Sequence, residues 1–280
     1  MKKHNLSVIP QLRSLFRLSS KVVDLRNERK LVLLTGGAIG IGAATSELFA
    51  EKGYNVAILD LKEATETRER VQSKGTQCLA LRCDVSDEEQ VRKSVQIILE
   101  TYGRIDSLLN IAGVALVKPL ESTSWEEYRK VVDVNLGGTF LLCKHVTPVM
   151  KQQMRGSIVN VASISGHIGG FYRSIYGASK AAVISFTRAL AWELAPFKIR
   201  VNSVSPGLVD TDLLRKNMEN ESQYLGQSYQ EIRTKRQGDQ AFKRFADSRE
   251  VSEAAYFLAS DASSFITAVD LPVDCGWIAK

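Results

Sequence analysis

The sequence predicts an α/β protein, a single domain built on a doubly wound parallel sheet with helices on both faces. Three observations carry that prediction. Short continuous apolar runs, such as Leu31-Val32-Leu33-Leu34 and Ile158-Val159-Asn160-Val161-Ala162, have the composition of strands buried on both faces. Helical stretches alternate with these runs along the chain, as parallel pairing with crossover helices requires. A glycine-rich turn joins the first strand to the first helical stretch. The 280 residues, 44% of them hydrophobic, suffice for one large core, and no repeat or linker divides them. No apolar stretch approaches the ~18 residues of a membrane span.

The elements follow in order. Leu31 to Leu34 leads into Thr35-Gly36-Gly37-Ala38-Ile39-Gly40-Ile41-Gly42, and a helix is predicted over Ala43 to Lys52. The glycines permit a tight turn and close approach of backbone to a pyrophosphate, and the helix N-terminus offers its free N–H groups to that charge. A second strand, Asn55 to Asp60, closes on an acid 18 positions after Gly42, a spacing suited to a residue that bonds a ribose 2′-hydroxyl. A helix cap or a solvated loop acid is the alternative reading of Asp60. A third strand runs from Cys78 to Arg82. Ser163 ends the Ile158–Ala162 strand, at the sheet edge where open α/β folds keep their ligands. Tyr176 and Lys180 stand four apart on one helical face, so the ammonium is placed to favour the ionised phenol. On spacing alone, a surface Tyr/Lys pair is the plainer alternative.

With these residues the chain resembles the short-chain dehydrogenase/reductase family from about Lys30 to Trp277, which implies a Rossmann-like fold. Thr35 to Gly42 is similar to the family's T-G-x-x-x-G-x-G cofactor loop. Asp84-Val85 matches the pair that contacts adenine, and Asn110-Ile111-Ala112-Gly113 resembles the element that supports the central sheet. Asn135, Ser163, Tyr176 and Lys180 match the catalytic tetrad. Pro206-Gly207-Leu208-Val209-Asp210-Thr211 looks like the segment whose threonine meets the nicotinamide carboxamide. The cofactor-binding set implied is Thr35, Gly36, Ala38, Ile39, Gly40, Ile41, Gly42, Asp60, Asp84, Val85, Asn110, Ala112, Gly113, Tyr176, Lys180, Pro206, Gly207, Val209 and Thr211. Four positions depart from the family pattern. Ile111 replaces a second asparagine, Ser248 a proline, and Ala268 and Cys275 glycines near the C-terminal turn.

The resemblance implies hydride transfer between a nicotinamide cofactor and a secondary alcohol or ketone. Tyr176 is the expected general acid or base, Ser163 the holder of the substrate oxygen, and Lys180 a ligand of the nicotinamide ribose. Asn135 is expected to order a water in a proton relay. NAD is expected over NADP, because a carboxylate at Asp60 accepts ribose hydroxyls and repels a 2′-phosphate. The loop offers only Ala38 and Ile39 where a phosphate-binding base could stand. A catalytically silent NAD(H)-binding sensor of the same fold is the alternative.

Residues 1–30 hold eight basic side chains against two acidic ones, which accounts for the whole net charge of +6. The remaining 250 residues carry 29 of each sign, so the domain has no excess to attract nucleic acid. Residues 1–29 are read as a basic amphipathic extension, with Leu12, Leu15, Phe16, Val22 and Val23 near helical spacing and Pro10 at the start. That composition suits a mitochondrial targeting segment or a packing helix, with membrane contact less favoured. Location is therefore expected to be cytoplasmic, or the mitochondrial matrix if the extension is a targeting segment. The cysteines at 78, 83, 143 and 275 have neither disulfide nor metal spacing, and no metal is expected. Residues 30–280 form the domain, with 212–245 expected as a helical lid over the substrate. Phe171, Tyr172 and Ile175 are expected to give the pocket an apolar side, and His167 either lines it or is a plain loop residue. The resemblance implies a homotetramer, with the helices of Asn135 and Tyr176 packed across a dyad.

Overall fold

The structure is a computed structural model that describes residues 29–280; the sequence expectations for the N-terminal extension lie outside the described residues. Seven strands form one all-parallel sheet: β1 (Leu31–Thr35), β2 (Asn55–Asp60), β3 (Cys78–Arg82), β4 (Ser107–Asn110), β5 (Gly156–Val161), β6 (Ile199–Pro206) and β7 (Asp270–Val273), in the order β3-β2-β1-β4-β5-β6-β7. The connecting helices are α1 (Gly40–Glu51), α2 (Thr65–Gln72), α3 (Glu88–Tyr102), α4 (Trp125–Val132), α5 (Gly138–Gln153), α6 (Ser174–Leu194), α7 (Asp212–Leu225), α8 (Tyr229–Asp239) and α9 (Ser248–Ala259). Helix α1 begins three residues earlier than the sequence suggests, taking in the last two glycines of the turn.

Successive residues of the central strands fill opposite cores, as a two-residue side-chain period demands. Leu31 and Leu33 join one cluster with Ile98, Leu142, Met150 and Leu194, from α3, α5 and α6. Val32 and Leu34 join the other with Phe49, Val71, Val251 and Leu258, from α1, α2 and α9. Cys78 packs with the second cluster and Cys83 lies in the first, the opposite-face placement that their odd spacing predicts. All four cysteines are free thiols.

The winding reverses between β1 and β4, whose terminal residues Thr35 and Asn110 are register partners. The Thr35 hydroxyl accepts hydrogen bonds from the amides of Ile111 and Ala112, each at 3.0 Å, and so clamps the two strand ends together. A ligand crevice opens at such a switch point, on the carboxyl edge of the sheet.

Three of the departures from the family pattern can be followed in the structure. Asp247 and Glu250 form a capping box that starts α9, so Ser248 needs no proline to begin the helix. Ala268 and Cys275 keep the left-handed backbone that glycine would favour, at φ 64° and 55°. A side chain in that region costs roughly 1–2 kcal/mol. Cys275 recovers part of this by accepting a hydrogen bond from the Phe242 amide at 3.2 Å. Ala268 has no side-chain polar group to do the same. Replacing Ala268 by glycine should therefore raise stability by about 0.5–1 kcal/mol and Tm by roughly 1–4 °C, measured by calorimetry.

Candidate active site

The turn after β1 is shaped by close backbone contact. A Cβ on Gly42 would lie 1.9 Å from the Gly36 carbonyl oxygen, and one on Gly36 would lie 2.8 Å from Ala112 Cα. Ile39, which precedes α1, gives its first turn no side-chain cap, so the leading N–H groups remain available to an anion. Asp60 does not cap α2, which starts after Ala64. Its carboxylate instead accepts the Ala38 amide and the Lys62 amide, both at 2.9 Å, and is held beside the turn. Arg82 is the register partner of Asp60 on β3, a nearby base that inspection of the loop alone missed. Free helix amides, a backbone cradle and a fixed carboxylate together fit a dinucleotide's pyrophosphate and ribose.

Ser163 follows β5, and Tyr176 and Lys180 lie on the first turns of α6. Two glycines allow these segments to meet. A Cβ on Gly177 would lie 2.7 Å from the Ser165 carbonyl oxygen, and one on Gly166 would lie 2.9 Å from the Ala181 nitrogen. The Ser163 turn therefore lies directly on the backbone of α6, and Ser163 and Tyr176 line the same cleft. Lys180 is buried and donates to the Val161 carbonyl at 2.8 Å, with its ammonium 6.0 Å from the Tyr176 ring centroid. Burial pushes Lys180 down to about 8. Burial also raises the Tyr176 phenol above its ordinary value, against the lowering effects of the neighbouring Ser163 hydroxyl and the Arg173 charge. Lys180, 6.0 Å from the ring centroid, is not among the groups that shift the phenol in this structure; the lowering comes from Ser163 and Arg173.

Asn135 lies in a single π-helical turn, Asp133–Gly137, between α4 and α5, and is fully buried. Its side chain accepts the Val114 amide at 2.9 Å and donates to the Val114 carbonyl and Ser179 hydroxyl, each at 3.0 Å. Gly113 stands between Asn135 and Lys180: a Cβ there would lie 3.2 Å from Asn135 Oδ1 and 3.4 Å from Lys180 Nζ. Asn110 donates to Asn160 at 2.8 Å, and Asn160 to Thr187 at 2.9 Å, which ties β4, β5 and α6 together. Thr211 caps α7 through its hydroxyl, which accepts the Leu214 amide at 3.3 Å. Val85 packs on Gly138, and Asp84 accepts from the amide and hydroxyl of Ser86.

One cleft, partly open to solvent, brings together Ile41, Gly113, Ser163, Tyr176, Lys180, Pro206, Gly207, Val209 and Thr211. Thr35, Gly36, Ala38, Ile39, Gly40, Gly42, Asp60, Asp84, Val85, Asn110, Ala112 and Asn135 are not among its lining residues. The apolar wall corrects an expectation. Phe171 is 76% exposed, and neither it nor Tyr172 or Ile175 lines the cleft. Ile111, Ile164, Leu208, Leu213 and Leu214 supply that wall instead. His167 turns to Asp270, 2.7 Å away, and is not in the lining. The sequence reading missed Arg173, which does line the cleft; its position three residues before Tyr176, one helical turn away, was the available signal.

A family model described as enoyl-(acyl carrier protein) reductase matches residues 36–278. The cyclopentanol dehydrogenase of Comamonas testosteroni is 37% identical over 253 residues, covering 90% of this chain and 98% of its own. An NAD+-bound xylitol dehydrogenase superposes with a TM-score of 0.84 at 33% identity, covering 87% of this chain and 97% of that one. An actinorhodin polyketide ketoreductase with NADPH gives 0.87 at 29% identity, covering 90% and 98%. The chain belongs to the short-chain dehydrogenase/reductase family. It is an oxidoreductase of CH–OH and C=O groups, and its family uses a nicotinamide cofactor.

Lys180 also makes stability depend on pH. Its folded value, about 8, lies below the ordinary 10.5, so the unfolded chain holds its proton to higher pH. Stability should rise as pH climbs from 8 to 10.5, and below 8 the buried charge costs on the order of 3 kcal/mol. Lys180→Met should be the more stable protein at pH 7 by up to that amount. Its advantage should fade by pH 10.5, as read from urea unfolding across that range.

Proposed function

We propose that the protein interconverts a secondary alcohol and its ketone with NAD, using Tyr176 as the proton-exchanging group. The observation that carries this reading is the meeting of Ser163, Tyr176 and Lys180 in one cleft at the carboxyl edge of the sheet. The nicotinamide, when bound, supplies the hydride chemistry. The chain's own residues manage the oxygen and its proton. Tyr176 donates to a carbonyl oxygen or accepts from a carbinol, and Ser163 donates to the same oxygen as charge develops on it. In oxidation Tyr176 must act as the base, and the lowering effects of Ser163 and Arg173 assist it against burial. Lys180, fixed by the Val161 carbonyl, holds its remaining N–H groups towards the Gly113 side, where a ribose would be bound. Asn135 and its Val114 partner keep that space open between α4 and α6. Its expected part in a water relay belongs to this proposal.

The preference for NAD is supported by Asp60, whose fixed carboxylate would accept the ribose hydroxyls and repel a 2′-phosphate. Helices α7 and α8 share a small core of Leu208, Leu214, Met218, Ile232 and Phe245, which supports their reading as a lid that excludes water. Phe140 on α5 and Trp192 on α6 are 46% and 80% exposed, which supports packing of those helices against a second copy in a homo-oligomer. Action in the cytoplasm remains part of the proposal.

Three measurements test this reading. Turnover of secondary alcohols with NAD should fall by about 10²–10⁴-fold in Tyr176→Phe, while the variant still binds NADH by fluorescence titration. Retained turnover would remove Tyr176 from the mechanism. Asp60→Ser should raise the NADP-to-NAD ratio of kcat/KM by roughly tenfold or more, because Arg82 is left free to meet a phosphate. Tighter binding of NADPH than NADH by the unaltered protein would overturn the cofactor assignment.

A further inference from the structure

Arg173 acts on the reaction above only through its charge on Tyr176, and no part of that role uses its hydrogen-bonding edge. It immediately precedes α6, lines the cleft with Ser163 and Tyr176, and leaves 14% of its side chain exposed. Its Nε and Nη2 are both buried and have no hydrogen-bond partner. These two atoms form the edge of a guanidinium that clasps a carboxylate side-on. Elsewhere in the protein that edge is filled in this way. Arg92 holds Glu89 through Nε and Nη2 at 2.8 and 2.7 Å, and Arg104 holds Asp106 at 2.8 and 2.6 Å.

Glu221, on the lid helix α7, is the acid nearest to Arg173, and it does not fill the edge. Its Oε2 stays 3.5 Å from Arg173 Nη2, too far for a charge-assisted hydrogen bond, and is itself unpartnered. Its other oxygen is bound closely by Arg236 of α8. One buried carboxylate thus faces two largely buried guanidinium groups, a surplus of one positive charge beside the cleft. Burial and the Arg236 charge press Arg173 below its ordinary range, and Glu221 and Tyr176 offset them only in part, so an added anion would relieve the cluster.

We propose that the substrate carries a carboxylate and that the Nε/Nη2 edge of Arg173 binds it, which makes the substrate a short hydroxy acid or its oxo acid. This rests on the alcohol–ketone reading above. Arg173 stands one helical turn from Tyr176, so the carboxylate and the reacting oxygen are held on the same side of α6. Glu221 of α7 and Arg236 of α8 meet Arg173 at the same point. An anion on the Nε/Nη2 edge leaves Glu221 in its existing contact with Arg236.

The test uses the full chain and two matched pairs of probes: 3-hydroxybutyrate with its amide, and 4-hydroxypentanoate with its amide. The unaltered protein should oxidise at least one acid with a kcat/KM tenfold or more above that of its neutral amide. Arg173→Gln should cut that acid-to-amide ratio by at least tenfold, chiefly through KM, and Arg173→Lys should restore part of it. A latch that only secured the lid would change acid and amide together and leave the ratio alone. Equal use of acid and amide by the unaltered protein, or a ratio unmoved in Arg173→Gln, overturns the inference while leaving the alcohol–ketone reaction standing. If no probe or neutral secondary alcohol turns over, the reaction itself fails. Binding of acetoacetate to the NADH complex, followed by fluorescence, then decides the inference. Tenfold weaker binding in Arg173→Gln supports it, and unchanged binding overturns it.

Discussion

The hydrogen bond from the Lys180 ammonium to the Val161 carbonyl, 2.8 Å long and buried, is the contact on which the site is built. It joins the last residue of a central strand to the helix that carries Tyr176. Among the described residues no carboxylate pairs with this ammonium, so the charge stays in the interior largely uncompensated, and its pKa falls to about 8. The fold bears that cost because the packing around it is fixed. The Ser163 turn lies on α6 through Gly166 and Gly177, and the Asn110–Asn160–Thr187 chain locks the strands beneath. A buried polar network is stabilising only when its members are satisfied, and this one is nearly so.

The same edge of the sheet solves a second problem. A parallel sheet buried on both faces leaves its polar loops only at its ends, and reversal of winding between β1 and β4 opens a crevice at one of them. Thr35 holds that crevice to fixed dimensions through two amides. The glycine turn and α1 then present free N–H groups on one side, and Tyr176 with Lys180 stands on the other. Positioning of this kind is what a cofactor enzyme contributes, since the hydride chemistry resides in the cofactor.

Substrate selection falls to elements outside that frame. Tyr172 packs against Tyr224 of α7 with ring centroids 5.7 Å apart, and Arg173 faces Glu221 on the same helix. The loop before α6 and helix α7 are therefore one surface, apolar through Leu213 and Leu214 and positively charged at Arg173. Tyr172 itself has a left-handed backbone at φ 58°, a strained setting that presents Arg173 at the start of the helix.

The sequence by itself determined strands β1, β2, β3 and β5, the glycine turn, Asp60 at the end of β2 and the Tyr176/Lys180 spacing, because these follow from local sterics and from periods of 2 and 3.6 residues. Cys78 and Cys83 fell on opposite faces for the same reason. Only the tertiary structure decided which way the Tyr176 phenol shifts, since desolvation depends on everything packed around it. It also decided that His167 meets Asp270, 103 residues away, and that Arg82 lies beside Asp60. Leu213 and Leu214 line the cleft where Phe171, Tyr172 and Ile175 had been expected, and Arg173 enters it facing an acid from a distant helix. Each of these is a contact between segments remote in the chain. Local pattern specifies the face a side chain takes, but the partner waiting there is chosen by the packing of the whole sheet and its helices.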